Sequence, residues 1–81
     1  MAGQARQEKE EPSNLKRLSD RERQIAALIA RGLKNKDIGR ELGISENTVK
    51  RHLQSIFNKT GARDRLELAV MALTELSRAA A

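Results

Sequence analysis

The stretch that most constrains this chain is Asn35–Lys59, where two apolar patterns of helical period meet at one glycine. Ile38 and Leu42 lie one turn apart and predict the inward side of a short helix. Asn35 stands where a side-chain oxygen could cap its first turn. Gly43 follows, at the point where a helix closes in a left-handed conformation that only glycine adopts cheaply. Ser45 predicts the N-cap of a second helix over about residues 46–59. There Val49, Leu53, Ile56 and Phe57, at i, i+4, i+7 and i+8, form one apolar face. The opposite face carries Asn47, Lys50, Arg51, Gln54 and Asn58. Two helices, a glycine turn and a polar, basic outer face on the second are the sequence form of a helix-turn-helix.

The flanks predict two more helices. Ser19 and Glu22 have the spacing of a capping box, opening a helix that runs to about Arg31 with Ile25, Leu28 and Ile29 inward. Gly32 stops it, and Leu33 is expected in the core. Gly39 costs about 1 kcal/mol in helix propensity, which predicts close approach of the next helix; simple tolerance at an exposed position is the competing reading. Gly61 ends the second helix of the motif, and Asp64 is placed to cap a last helix over about Arg65–Ser77. Its expected core face is Leu66, Ala69, Val70, Leu73 and Leu76, and residues 78–81 are expected to fray. Leu68, Met71 and Ala72, with Glu75 beside them, then form a second stripe, read either as scattered surface residues or as a two-fold contact between copies. Residues 1–17 show no sustained apolar face and read as a flexible tail or interdomain linker, with a short solvated helix over Ala5–Glu11 as the alternative. The folded domain is accordingly expected over 18–81, all-α with four helices.

Composition narrows the chemistry. The 81 residues suit one small domain of modest stability. There is no cysteine and His52 is the one histidine, which argues against a zinc site, a cysteine nucleophile or disulfides, and fits a reducing cytoplasm. No apolar run is long enough for a membrane span, and the charged N-terminus is unlike a secretory signal. The remaining carboxylates read as caps and surface ion pairs. No catalytic constellation stands out, so neither an enzyme nor a cofactor is expected. The net charge is +5, and residues 45–65 hold five basic side chains against two acidic ones. A basic solvated surface is the bland reading; a polyanion partner is the other. Phe57, the single aromatic, is assigned to the core, which leaves no ring on which single-stranded bases could stack. Duplex DNA is the better candidate.

In that reading the second helix enters the major groove and its first-turn amides meet a phosphate. Lys50, Arg51 and Gln54 project away from the core and are expected to read base edges, Lys or Arg at guanine and Gln at adenine. Ser45 and Thr48 hydroxyls are expected on phosphate, Asn47 and Asn58 on sugar or phosphate, and Asn35 and Lys36 on the flanking backbone. Lys59, Arg63 and Arg65 would extend the phosphate track, although for Lys59 complementing the helix C-terminus is an equal reading.

Taken together these residues resemble the LuxR-type (GerE/NarL/FixJ) DNA-binding domain from Leu18 to about Leu73. Leu18-Ser19-x-Arg21-Glu22 is similar to the family's Leu-Thr-x-Arg-Glu, and Gly32-Leu33-Lys34-Asn35-Lys36-Asp37-Ile38 to its Gly-Leu-Ser-Asn-Lys-Glu-Ile. Leu42-Gly43-Ile44-Ser45-x-x-Thr48-Val49-Lys50-x-His52 resembles the most specific part of its signature, and Lys59-x-Gly61-x-x-x-Arg65 its closing segment. Thr60 stands where the family usually has Leu, and Gly39 where it has Ala. The resemblance implies a four-helix domain whose third helix reads the major groove and whose fourth pairs two copies on a pseudo-palindromic site. It places Lys50, Arg51 and Gln54 at bases, and Thr48 and His52 near the backbone or in support of the helix. It further implies a transcription regulator, either stand-alone or the output domain of a response regulator; RNA polymerase is a candidate further partner. Two rivals remain. One is a sigma region-4-like promoter-binding segment, which would not need the apolar fourth helix. The other is a protein-interaction module that has lost DNA binding.

Overall fold

A computed structural model describes residues 14–80, with side chains over 15–75. A single 3-10 turn, Asn14–Arg17, leads into four α-helices: α1 (Asp20–Ala30), α2 (Asn35–Leu42), α3 (Glu46–Thr60) and α4 (Arg65–Ala80). There is no strand among the described residues, and the all-α, four-helix expectation holds. Residues 1–13, which hold most of the expected tail or linker and its alternative, a short helix over Ala5–Glu11, lie outside the described residues.

Each helix starts or stops where local chemistry dictates. Ser19 caps α1 with both halves of the capping box: Glu22 N donates to Ser19 Oγ at 3.1 Å and Ser19 N to Glu22 Oε1 at 2.8 Å. Ser45 Oγ accepts from Thr48 N at 3.0 Å and opens α3. Asp64 Oδ1 accepts from Glu67 N at 2.8 Å and opens α4. Gly43 and Gly61 end α2 and α3 at φ +72° and +75°, the left-handed caps a β-carbon would penalise. Two boundaries differ from expectation. The N-cap of α2 is Lys34, which makes no side-chain cap bond, and Asn35 is the first helical residue. The last helix reaches Ala80, beyond the expected stop at Ser77.

The core joins all elements. α1 packs mainly on α4 and also on α3, α2 packs on α3, and the 3-10 turn rests on α3 and α4. Ile25, Ile38, Val49, Ile56 and Leu68 are its fully buried side chains. Leu33 and Phe57, both assigned to the interior, are half-buried and pack against it. Leu15 is 4% exposed, so the folded unit takes in the 3-10 turn and the expected boundary at Leu18 moves upstream. One leucine among polar neighbours carries no periodicity, which is why the sequence pattern placed it in the tail. Thr60 is buried, and its Oγ1 accepts from Ala62 N at 3.2 Å and helps close the turn into α4.

The assignment of faces on α4 is corrected. Leu68 and Ala72, expected on an outer stripe, are buried, whereas Leu66, Val70 and Leu73, expected inward, are 73%, 52% and 52% exposed. Met71 and Glu75 are half-buried at the edge of the contact. The helix carries aliphatic residues around most of its circumference, so hydrophobic period alone could not choose its phase; contact with α1 does. The side chain of Leu76 is outside the described ones.

Gly39 is buried, and the reason is a close approach of the turn rather than of a helix face. A β-carbon there would lie 2.6 Å from the Ile44 carbonyl oxygen, a backbone atom. Gly39→Val is therefore expected to lower stability by about 1–3 kcal/mol, the usual range for overpacking. A urea midpoint unchanged from the parent would contradict this.

Candidate nucleic-acid interface

The geometry of the outer surface follows from how α3 is held. Val49, Leu53 and Ile56 bury one side of it, which turns Asn47, Lys50, Arg51, Gln54 and Asn58 outward; all five are exposed. They span three turns on one face, so the side chains form a continuous strip of amides and cations. None of the five side chains makes a hydrogen bond or ion pair to a described residue. Their donors and acceptors are therefore open to an incoming partner.

At the N-terminal end of the strip, the Ser45 and Thr48 hydroxyls lie 2.9 Å apart and share a hydrogen bond. Ser45 Oγ also takes the Thr48 amide, leaving the Glu46 and Asn47 amides without intrahelical acceptors. Together these make a donor-rich helix start suited to an anion. His52 is half-buried on the flank of α3 rather than on its outer strip. Lys36, on the first turn of α2, is exposed.

Three cations read as a phosphate track are engaged inside the molecule. Lys59 Nζ donates to Glu22 Oε1 at 2.9 Å, tying the end of α3 to the start of α1. Arg65 donates from Nη1 to Asn35 Oδ1 and from Nη2 to the Leu33 carbonyl, each at 2.8 Å, so Asn35 and Arg65 are partners. Arg63 makes an exposed pair with Glu67, donating from Nε at 3.4 Å and from its backbone amide at 2.6 Å. The Arg63 pair is of a kind worth little in water and leaves most of that guanidinium reachable.

Glu22 is the residue whose importance sequence reasoning understated. Beyond its capping role it accepts from Ser55 Oγ at 2.7 Å and from Lys59, while only 5% exposed. Burial by itself pushes its carboxyl pKa up. Donation from Lys59, from the Ser19 amide and from the Ser55 hydroxyl, together with the lysine charge, outweighs burial and holds the pKa at about 2, below the ordinary 4.5. The capping-box spacing pointed to Glu22, but partners more than thirty residues away leave no local signal.

Among the described residues no group of His, Asp and Glu side chains could hold a metal ion, and no helix is long and apolar enough to cross a membrane.

Comparison with known proteins shows the family of the chain. The family model described as GerE, bacterial regulatory proteins of the luxR family, matches residues 16–72. The chain is 45% identical over 60 residues to the transcriptional regulatory protein YdfI of Bacillus subtilis (strain 168), covering 74% of this chain and 28% of that protein. It is 46% identical over 57 residues to the nitrate/nitrite response regulator protein NarL of Escherichia coli (strain K12), covering 70% and 26%. With the transcriptional regulatory protein LiaR of Bacillus subtilis (strain 168) it shares 47% identity over 55 residues, covering 68% and 26%. The match thus spans little more than a quarter of these relatives' lengths.

Proposed function

Since the chain belongs to the luxR family of bacterial regulatory proteins, we propose that it is a sequence-specific duplex-DNA-binding domain acting in transcription regulation, with α3 as the helix that enters the major groove. The observation that carries this reading is the outward strip of α3. Five exposed amide and cationic side chains face away from the core on a helix whose opposite side is locked by Val49, Leu53 and Ile56. In this reading Lys50, Arg51 and Gln54 meet base edges. Asn47, Asn58, Lys36 and the hydroxyl-rich start of α3 meet the sugar-phosphate backbone, and His52 supports the helix from its flank. The relatives named as response or transcriptional regulators support an output-domain role, in which the rest of a longer protein would supply the signal.

The exposed Leu66, Val70 and Leu73 recur at i, i+4 and i+7 along α4. In this proposal that stripe pairs two copies on an inverted DNA site, replacing the stripe of Leu68 and Ala72 read from the sequence.

Selection from a random duplex pool at physiological salt tests the whole reading. An enriched inverted repeat with half-sites about one helical turn apart is expected; a single half-site would set the pairing aside, and no enrichment would sink sequence-specific binding. On an enriched duplex, Lys50→Ala and Gln54→Ala are each expected to lower discrimination by about 1–3 kcal/mol. Lys36→Ala should instead weaken all duplexes alike and reduce the slope of log K against log salt by about 0.9. Identical behaviour of the two kinds of variant in a salt-titrated binding assay would reject this division of labour.

A further inference from the structure

The beginning of α2 is unusual in being fixed from outside. Its N-cap, Lys34, carries no side-chain acceptor and makes no cap bond. The helix is eight residues long, and the residues that anchor it, Ile38, Gly39 and the half-buried Leu42, all lie beyond its first turn, so nothing apolar holds its start. Arg65, the first residue of α4, reaches back across 32 and 30 residues to the Leu33 carbonyl and the Asn35 side chain, one on each side of that cap. At the other end α2 is fixed by the tight turn in which Ile44 O faces Gly39.

We infer that Arg65 is a positioning residue for DNA binding: its guanidinium sets the start of α2, and so the placement of Lys36 against the duplex relative to α3, without itself contacting phosphate. The inference rests on the DNA-binding reading above. A planar fork suits the task, because two acceptors on either side of one residue are spanned by two separate N–H groups held in fixed relation. A lysine at this position would keep the charge and lose the span.

The test is a salt titration of duplex binding, from about 50 to about 200 mM, with the parent, Arg65→Ala, Arg65→Lys, Asn35→Ala and the Arg65→Ala/Asn35→Ala pair. Each is measured well below its melting temperature, alongside amide exchange of Ile38, whose N–H makes the first helical bond to the Lys34 carbonyl at 2.9 Å. Arg65→Ala is expected to weaken binding about three- to tenfold, the range of coupling between contacting residues, with the salt slope unchanged and Ile38 exchange accelerated. Arg65→Lys should resemble Arg65→Ala, and the double variant should be little weaker than Arg65→Ala alone. A slope reduced by about 0.9 in Arg65→Ala would mean a lost phosphate contact and overturn the inference. Full affinity in Arg65→Lys, or unchanged Ile38 exchange in Arg65→Ala, would overturn it as well. Failure of the DNA-binding reading shows itself separately, as a parent domain that binds no duplex at any salt concentration, and it would take the inference with it.

Discussion

Glu22→Ala is expected to destabilise the domain by about 2–4 kcal/mol, in the range for breaking a buried, hydrogen-bonded ion pair whose cation can still reach water. The variant loses at once the acceptor of the Ser19 amide, the partner of Ser55 Oγ and the counter-charge of Lys59. The effect carries a pH signature. A carboxyl held at about 2 in the folded state, against 4.5 ordinarily, favours folding at every pH above the higher value. That contribution, about 3 kcal/mol, fades as pH falls from about 4.5 towards about 2 and is gone below both. The parent should therefore lose stability steeply across that window, and Glu22→Ala should lose much less. Lys59→Ala leaves the buried carboxylate without its cation and should move the acid transition to higher pH. Urea melts at pH 7, 4 and 2.5 decide the matter. Parallel pH profiles for parent and Glu22→Ala would remove Glu22 from its assigned role.

The second large effect is at α4. Leu68→Ala is expected to cost about 2–5 kcal/mol, as for a fully buried leucine. Leu66→Ala, two residues away and 73% exposed, should stay within about 0.5 kcal/mol when measured on the monomer. The hydrophobic pattern alone would predict the reverse order, so the pair of melts tests the phase of the helix directly. The same two variants separate folding from assembly. Leu66→Ala should leave the monomer intact while weakening self-association on DNA, read by sedimentation with a two-site duplex.

What was legible in the sequence was whatever is encoded within one or two turns. Ser19 with Glu22, Ser45 with Thr48, Asp64 with Glu67, and the left-handed Gly43 and Gly61 are local devices, and each stands where spacing put it. The face of α3 was legible for the same reason, because polar and apolar residues alternate there with a clear period. α4 was not, since leucines, valine, methionine and alanines surround it and only its neighbour decides which are covered. Contacts across the fold were also silent. Nothing near Lys59 or Arg65 says that one closes on Glu22 and the other on Leu33 and Asn35, so Arg65 read as a cation for phosphate and Lys59 as either that or a complement to the end of its own helix. Asn35 looked like a cap because its residue type suits one; the chain instead begins α2 one residue earlier and gives that amide to Arg65.

The two sides of α3 share no residue. Asn47, Lys50, Arg51, Gln54 and Asn58 contribute nothing to the interior, and Val49, Leu53 and Ile56 nothing to the outer strip. Exchanging one exposed polar residue for another typically changes stability by no more than about 0.5 kcal/mol. With this strip as the proposed reading surface, such a scaffold can acquire a new address by a few substitutions along it, each viable alone, without any compensating change in the interior. Divergence of recognition among descendants of one ancestral domain would then be limited by the usefulness of the new sites and not by the ability of the intermediates to fold.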